Sequence, residues 1–92
     1  MIQTFSCKDT EALYTTGKSR RFAAIAEVAA RKLQMPTDAH AIDDLKSPPG
    51  NRLEALRGNR AGQHSIRVNS QWRLCFEWHD GHAWNVEIVD YH

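Results

Sequence analysis

The chain has 92 residues, 41% hydrophobic and 25% charged, with 12 Lys and Arg against 11 Asp and Glu for a net charge of +1. That is enough material for one core and not two, so a single domain over residues 1–92 is expected. The composition excludes disordered and fibrous classes, and no apolar run approaches the ~20 residues that a membrane span needs.

The two cysteines, Cys7 and Cys75, show neither metal-ligand spacing nor the density of a disulfide framework. Met1-Ile2-Gln3-Thr4-Phe5 lacks the basic and apolar regions of a signal peptide. Free thiols and a cytoplasmic location are therefore expected.

In chain order, Met1 to Cys7 alternates weakly and reads as a first strand. Ser6 followed by Asp9 has the spacing of a helix N-cap and the acid three residues on, in the first turn, opening a short helix with Leu13 and Tyr14 that Gly17 ends. A second helix is expected from about Ser19 to Met35, with Phe22, Ile25, Ala26, Ala29 and Leu33 on one stripe, stopped by Pro36. A turn of helix around Ile42 and Leu45 precedes the loop Ser47-Pro48-Pro49-Gly50.

From there the period changes to two. Leu53 to Leu56 reads as a short strand ending at Gly58. His64, Ile66 and Val68, then Trp72, Leu74, Phe76 and Trp78, then Trp84, Val86 and Ile88 alternate with polar residues. The fold class is α+β, with the N-terminal strand and two helices packed on one face of a mostly antiparallel C-terminal sheet. A three-residue His79-Asp80-Gly81 turn would set Phe76 opposite Trp84, Leu74 opposite Val86 and Trp72 opposite Ile88. A two-residue Asp80-Gly81 turn would mix the two faces. The chosen register sets Arg73 opposite Glu87, and an equal turn before it sets Arg67 opposite Arg73. Two arginines facing each other across strands invite an anion between them. On a fully solvated sheet they would simply splay, with Glu87 neutralising one.

The net charge conceals an asymmetry. Between Lys46 and Arg73 lie six basic residues (Lys46, Arg52, Arg57, Arg60, Arg67 and Arg73) against Glu54 alone, a segment charge of +5 that leaves −4 for the rest. The last strand leads into Asp90-Tyr91-His92, three groups able to exchange protons, the imidazole with an ordinary pKa of roughly 6.5. A basic surface beside such a cluster suits chemistry on a phosphodiester. Lys18, Arg20 and Arg21 form a second, smaller basic patch. His79 and His82 bracket a turn and read as solvated rather than as metal ligands, so no metal site is assigned. His64 and the three tryptophans read as packing residues, and Cys75 as a bystander.

Asn51-Arg52-Leu53-Glu54-Ala55-Leu56-Arg57-Gly58, the run from Gly62 to Asn69, Gln71-Trp72-Arg73-Leu74-Cys75-Phe76 and Val86-Glu87-Ile88-Val89-Asp90-Tyr91-His92 resemble the HigB-type toxins of the RelE/ParE toxin–antitoxin superfamily. Ile2 to Phe5 and Thr15-Thr16-Gly17-Lys18 are also similar, so the likeness spans nearly the whole chain. The resemblance implies a ribosome-dependent mRNA endonuclease acting in the decoding site without metal or cofactor. It also implies a helix-turn-helix antitoxin as partner, through whose complex alone operator DNA would be met, and no membrane. It places catalytic or phosphate-contacting roles on Arg57, Arg73, Asp90, Tyr91 and His92. Several relatives carry a His where Glu54 stands here, so either Glu54 takes over as proton acceptor or the labour is divided differently. Arg52, Arg60 and Arg67 would grip RNA phosphates. A ParE-like toxin that inhibits DNA gyrase by binding would share the fold, as would a non-catalytic module that only binds its antitoxin.

Overall fold

The computed structural model describes residues 1–90; Tyr91 and His92 lie outside the described residues. Two helices, α1 (Lys8–Thr16) and α2 (Ala26–Asp38), precede four strands: β1 (Glu54–Ala55), β2 (Gln63–Arg67), β3 (Trp72–His79) and β4 (His82–Asp90). The strands form an antiparallel sheet in the order β1-β2-β3-β4. Leu13, Phe22, Ala29 and Leu33 from the helical layer bury against Ile66, Leu74, Phe76, Val86 and Ile88 of one sheet face. The expected α+β layering is thus realised. Removing these apolar side chains from water, at about 25 cal/mol per Å2 of apolar surface, is the main drive for closing the two layers.

The helix termini differ from expectation in ways the hydrogen bonds explain. Ser6 does not cap α1, because its hydroxyl donates to the Asn85 carbonyl at 3.0 Å; Cys7 takes the N-cap position without a side-chain capping bond. Gly17, with φ of 77°, closes the helix as expected. Residues 23–25 form a turn of tighter helix, so α2 begins only at Ala26. Pro36 does not stop α2. It sits buried in the last turn, where Thr37 Oγ1 donates to the Leu33 carbonyl at 3.0 Å and the Ala39 amide to Met35 at 3.0 Å. One lost amide bond is tolerated there because the helix is already ending.

The N-terminal segment is not a full strand. It runs parallel to the outer edge of β4 through two bridges, Ile2 to Ala83 and Phe5 to Val86. Between them lies an irregularity that decides the register of the sheet. The β3–β4 turn has two residues, Asp80 (φ 57°) and Gly81 (φ 76°), and His79 pairs with His82, as a left-handed two-residue hairpin turn allows. The expected three-residue turn is therefore incorrect. The mixing of faces is cured downstream, because a bulge between Cys75 and Glu77 sets Phe76 against one residue too many on β4. Before the bulge Ala83 enters the core; after it, Val86 and Ile88 do. Trp84 is consequently not a core residue: it lies opposite Glu77, stacks on His79 at 4.8 Å and donates Nε1–H to the His79 carbonyl at 3.1 Å. Trp72 packs edge-on against Phe22 at 5.4 Å, as a core residue should.

Asn85 carries the bulge with φ of 53°. Its amide donates to Thr4 Oγ1 at 2.8 Å, and its Nδ2 to Glu77 Oε2 at 2.6 Å. Asn tolerates left-handed backbone where a β-branched residue does not. Asn85→Val is expected to cost about 1–2 kcal/mol, read as a lower urea midpoint at unchanged slope, while Asn85→Gly should lose less. Equal midpoints for the valine variant and the wild type would show that the bulge is not strained.

Candidate active site

Opposite the helices, the other sheet face is not a solvated surface. Pairing brings Glu54, Ser65, Cys75 and Glu87 into one row across the four strands. Arg67, Arg73 and Val89 form the next. Arg67 does face Arg73, as expected. Arg73 faces Val89 rather than Glu87, a correction of two residues, one from the shorter turn and one from the residue inserted at the bulge. Ser65 and Cys75 are fully buried and Arg73 is 9% exposed, and the Arg52 carbonyl and the Arg60 side chain reach onto this face.

Arg73 is the centre of this face. Its Nε–H donates to Ser65 Oγ at 3.0 Å and its Nη2–H to the Arg52 carbonyl at 2.9 Å. Glu54 Oε1 lies 3.7 Å from Nη2, an ion-pair distance that is too long for a hydrogen bond. Arg52 adopts left-handed backbone, φ 47° and ψ 52°, which turns its carbonyl inward while its side chain stays exposed. Glu54, Ala55, Leu56, Arg57 and Arg60 line a concavity of about 730 Å3 beside this cluster.

The remaining cations divide into two kinds. Arg57 and Arg67 have no hydrogen-bond or ion-pair partner among the described residues, and neither has the Arg52 side chain. Arg60 is committed: Nη1 donates to Glu87 Oε1 at 2.8 Å and to Gln63 Oε1 at 3.0 Å. The bond to Glu87 raises the guanidinium pKa further above its ordinary value. Glu87 therefore neutralises Arg60, not Arg73. Burial pushes the Cys75 thiol up, with the Glu87 charge adding to burial and Arg60 opposing it, so little thiolate forms at neutral pH and a nucleophilic role is disfavoured. Lys32 extends the basic region from α2. Its pKa is lowered by burial and by Arg31 and Arg67.

Asp90 pairs with Trp72, so it follows Ile88 rather than Arg73 in the strand's alternation, and Gln71 Nε2 donates to its Oδ2 at 3.1 Å. The expected roles of Tyr91 and His92 lie outside the described residues. Among the described residues no group of three or more His, Cys, Asp or Glu side chains is placed to hold a metal ion. No helix among the described residues is long and apolar enough to cross a membrane.

Sequence reasoning overlooked Ser65 and Asn51. Ser65 hides in a strand where a small polar residue usually means a solvated face. Asn51 follows Pro-Pro-Gly and looks like an ordinary turn residue, yet it is fully buried, with Nδ2 donating to the Leu45 carbonyl at 3.1 Å and Oδ1 accepting from Lys32 Nζ at 2.6 Å.

Comparison with known proteins shows the family of the chain. A family model described as the RelE-like toxin HigB of type II toxin–antitoxin systems matches residues 3–92. "Toxin HigB-1" of Vibrio cholerae is 45% identical over 90 residues, covering 96% of this chain and 95% of that protein. "Endoribonuclease HigB" of Proteus vulgaris is 30% identical over the full length of both. The Staphylococcus aureus YoeB–YefM complex contains a chain of the same fold, with a TM-score of 0.61 at 16% identity over 100% of this chain and 98% of that one. The chain belongs to the HigB-like, RelE-related toxins of type II toxin–antitoxin systems, and its partner is accordingly an antitoxin.

Proposed function

We propose that this toxin is an endoribonuclease that cuts mRNA on the translating ribosome, using the substrate's own 2′-OH as nucleophile. The observation that carries the reading is the buried Arg73 guanidinium, held by two neutral oxygens beside a concavity lined by further arginines. The name of the Proteus vulgaris relative, an endoribonuclease, points the same way.

In this reading the 2′-oxygen attacks phosphorus, a 2′,3′-cyclic phosphate forms, and the 5′-oxygen departs with a proton. Arg73 stabilises the charge that grows on the phosphorane, where a preorganised cation in a partly dry site is most effective. Arg57, Arg67 and Arg52, whose side chains are uncommitted, grip neighbouring phosphates. Arg60 contributes by holding the loop that carries Arg57. Glu54, half-exposed beside Arg73, takes the 2′-OH proton, and His92 supplies the proton to the 5′-oxygen, oriented by Asp90. Tyr91 stacks on a base. The antitoxin is a helix-turn-helix protein, and operator DNA is met only through its complex.

The test is to map RNA 5′ ends after brief expression of the wild type and of Arg73→Ala, with translation initiation blocked in a parallel culture. Expected are cuts with 5′-hydroxyl ends in step with codons, present only in the wild type and only during translation. Growth arrest without cuts would overturn the reading in favour of gyrase inhibition by binding. Neither cuts nor arrest would indicate a non-catalytic module.

A further inference from the structure

Arg73 is a buried cation with two of its donors held by neutral oxygens of the fold. A partly dry guanidinium needs hydrogen-bond partners. Here Glu54 stays at 3.7 Å, while Ser65 Oγ and the Arg52 carbonyl take the short contacts at 3.0 and 2.9 Å. Held at Nε and at Nη2 by two different elements of the fold, the guanidinium has its plane fixed. The geometry is also costly to build: Ser65 is a fully buried hydroxyl on β2, and Arg52 holds left-handed backbone although it is not glycine.

Ser65 lies two residues along β2 from Arg67, the residue opposite Arg73, so it stands diagonally across the strands. A long side chain reaches such a diagonal position. The Arg73 side chain therefore leans along β2, away from Arg67 and toward β1. That lean separates two like charges and sets the guanidinium beside the concavity.

We propose that Ser65, together with the Arg52 carbonyl, is the positioning device of the active site: it sets the plane of the Arg73 guanidinium so that the cation meets the scissile phosphate in one orientation. This rests on the endoribonuclease reading. Ser65 touches no substrate; it acts through Arg73.

The experiment uses purified full-length toxin and programmed ribosomes, with Ser65→Ala, Ser65→Thr, Arg73→Lys and the Ser65→Ala/Arg73→Lys double variant. Ser65→Ala is expected to lower the single-turnover cleavage rate about tenfold while changing half-saturation by less than about twofold, since orientation and not affinity is lost. Ser65→Thr, which keeps the hydroxyl, should recover most of the rate. In the Arg73→Lys background, Ser65→Ala should add less than about twofold, because lysine has no Nε–H for Ser65 to hold. By nitrogen-15 NMR, the Arg73 Nε–H signal should exchange slowly with solvent in the wild type and rapidly in Ser65→Ala. If the wild type cuts and Ser65→Ala cuts equally fast, this inference alone falls. The same holds if the alanine effect is undiminished in the lysine background, or if the Nε–H signal is unchanged. A wild type that cuts nothing overturns the endoribonuclease reading and this inference with it. Should Ser65→Thr fold poorly for want of space, the double-variant comparison and the NMR signal decide.

Discussion

Replacing Arg73 by alanine is expected to slow cleavage by about 10²–10³-fold, the usual loss when one preorganised donor to a developing charge is removed. The fold should survive the change. Alanine leaves Ser65 Oγ and the Arg52 carbonyl without their donor, which costs about 1–3 kcal/mol, but it also removes a positive charge facing Arg67 across the strands. The two effects oppose each other, so the urea midpoint should move little while the cleavage rate collapses. Arg73→Lys keeps the charge and loses the planar fork, and should fall between alanine and wild type. A single-turnover assay beside a denaturation curve separates the two quantities. A rate for Arg73→Ala within about threefold of wild type would remove Arg73 from the chemistry, and the buried cation would then be structural. High salt should weaken substrate binding through Arg52, Arg57 and Arg67, the exposed or half-exposed cations, more than it weakens the buried Arg73.

How far these residues could be read from the sequence depended on what fixes them. The helical stripe of Phe22, Ala29 and Leu33 and the alternation of Ile66, Leu74 and Phe76 are legible because burial of one face dictates the period. The register of β3 on β4 was not. A strict period of two forces a choice between turn lengths, whereas the chain uses the two-residue turn and repairs the phase with one extra residue at Asn85. Nothing in an Asn between Trp84 and Val86 announces a bulge, since its role depends on Thr4 lying alongside, 81 residues away in sequence. The same holds for the site. Arg73 and its row partner Arg67 were visible as an unbalanced charge pair. The neutral oxygens of Ser65 and Arg52 were not, because a carbonyl has no residue type and a buried serine resembles an exposed one. Arg60 looked like a phosphate contact by composition; only the fold shows its charge lying against Glu87.

The second large effect is expected far from the phosphate, at Asn51. Its side-chain amide donates to the Leu45 and Ser47 carbonyls at 3.1 and 3.4 Å and contacts the Met35 sulfur at 3.3 Å, while its oxygen accepts from Lys32 at 2.6 Å. One fully buried residue thus ties α2 to the loop that leads into β1. Asn51→Ala removes these bonds together, taking the donor from the buried Leu45 carbonyl and depriving a half-buried ammonium of its closest acceptor. The expected loss is about 2–4 kcal/mol, or a fall in urea midpoint of roughly 2–4 M for a slope of about 1 kcal/mol/M. Asn51→Asp keeps the acceptor for Lys32 and loses the donors, so it should fall between alanine and wild type. The change should also reach the chemistry. Arg52 follows directly, and its inward carbonyl depends on the preceding turn, where its own amide donates to Pro49 at 3.1 Å. If the loop loosens, the guanidinium of Arg73 loses the Arg52 carbonyl as a fixed acceptor, and cleavage per folded molecule should drop. A variant that is less stable but cuts normally when folded would show that the Arg52 carbonyl holds its place without Asn51. A variant with an unchanged midpoint would mean that the buried amide contributes no more than water would in its place.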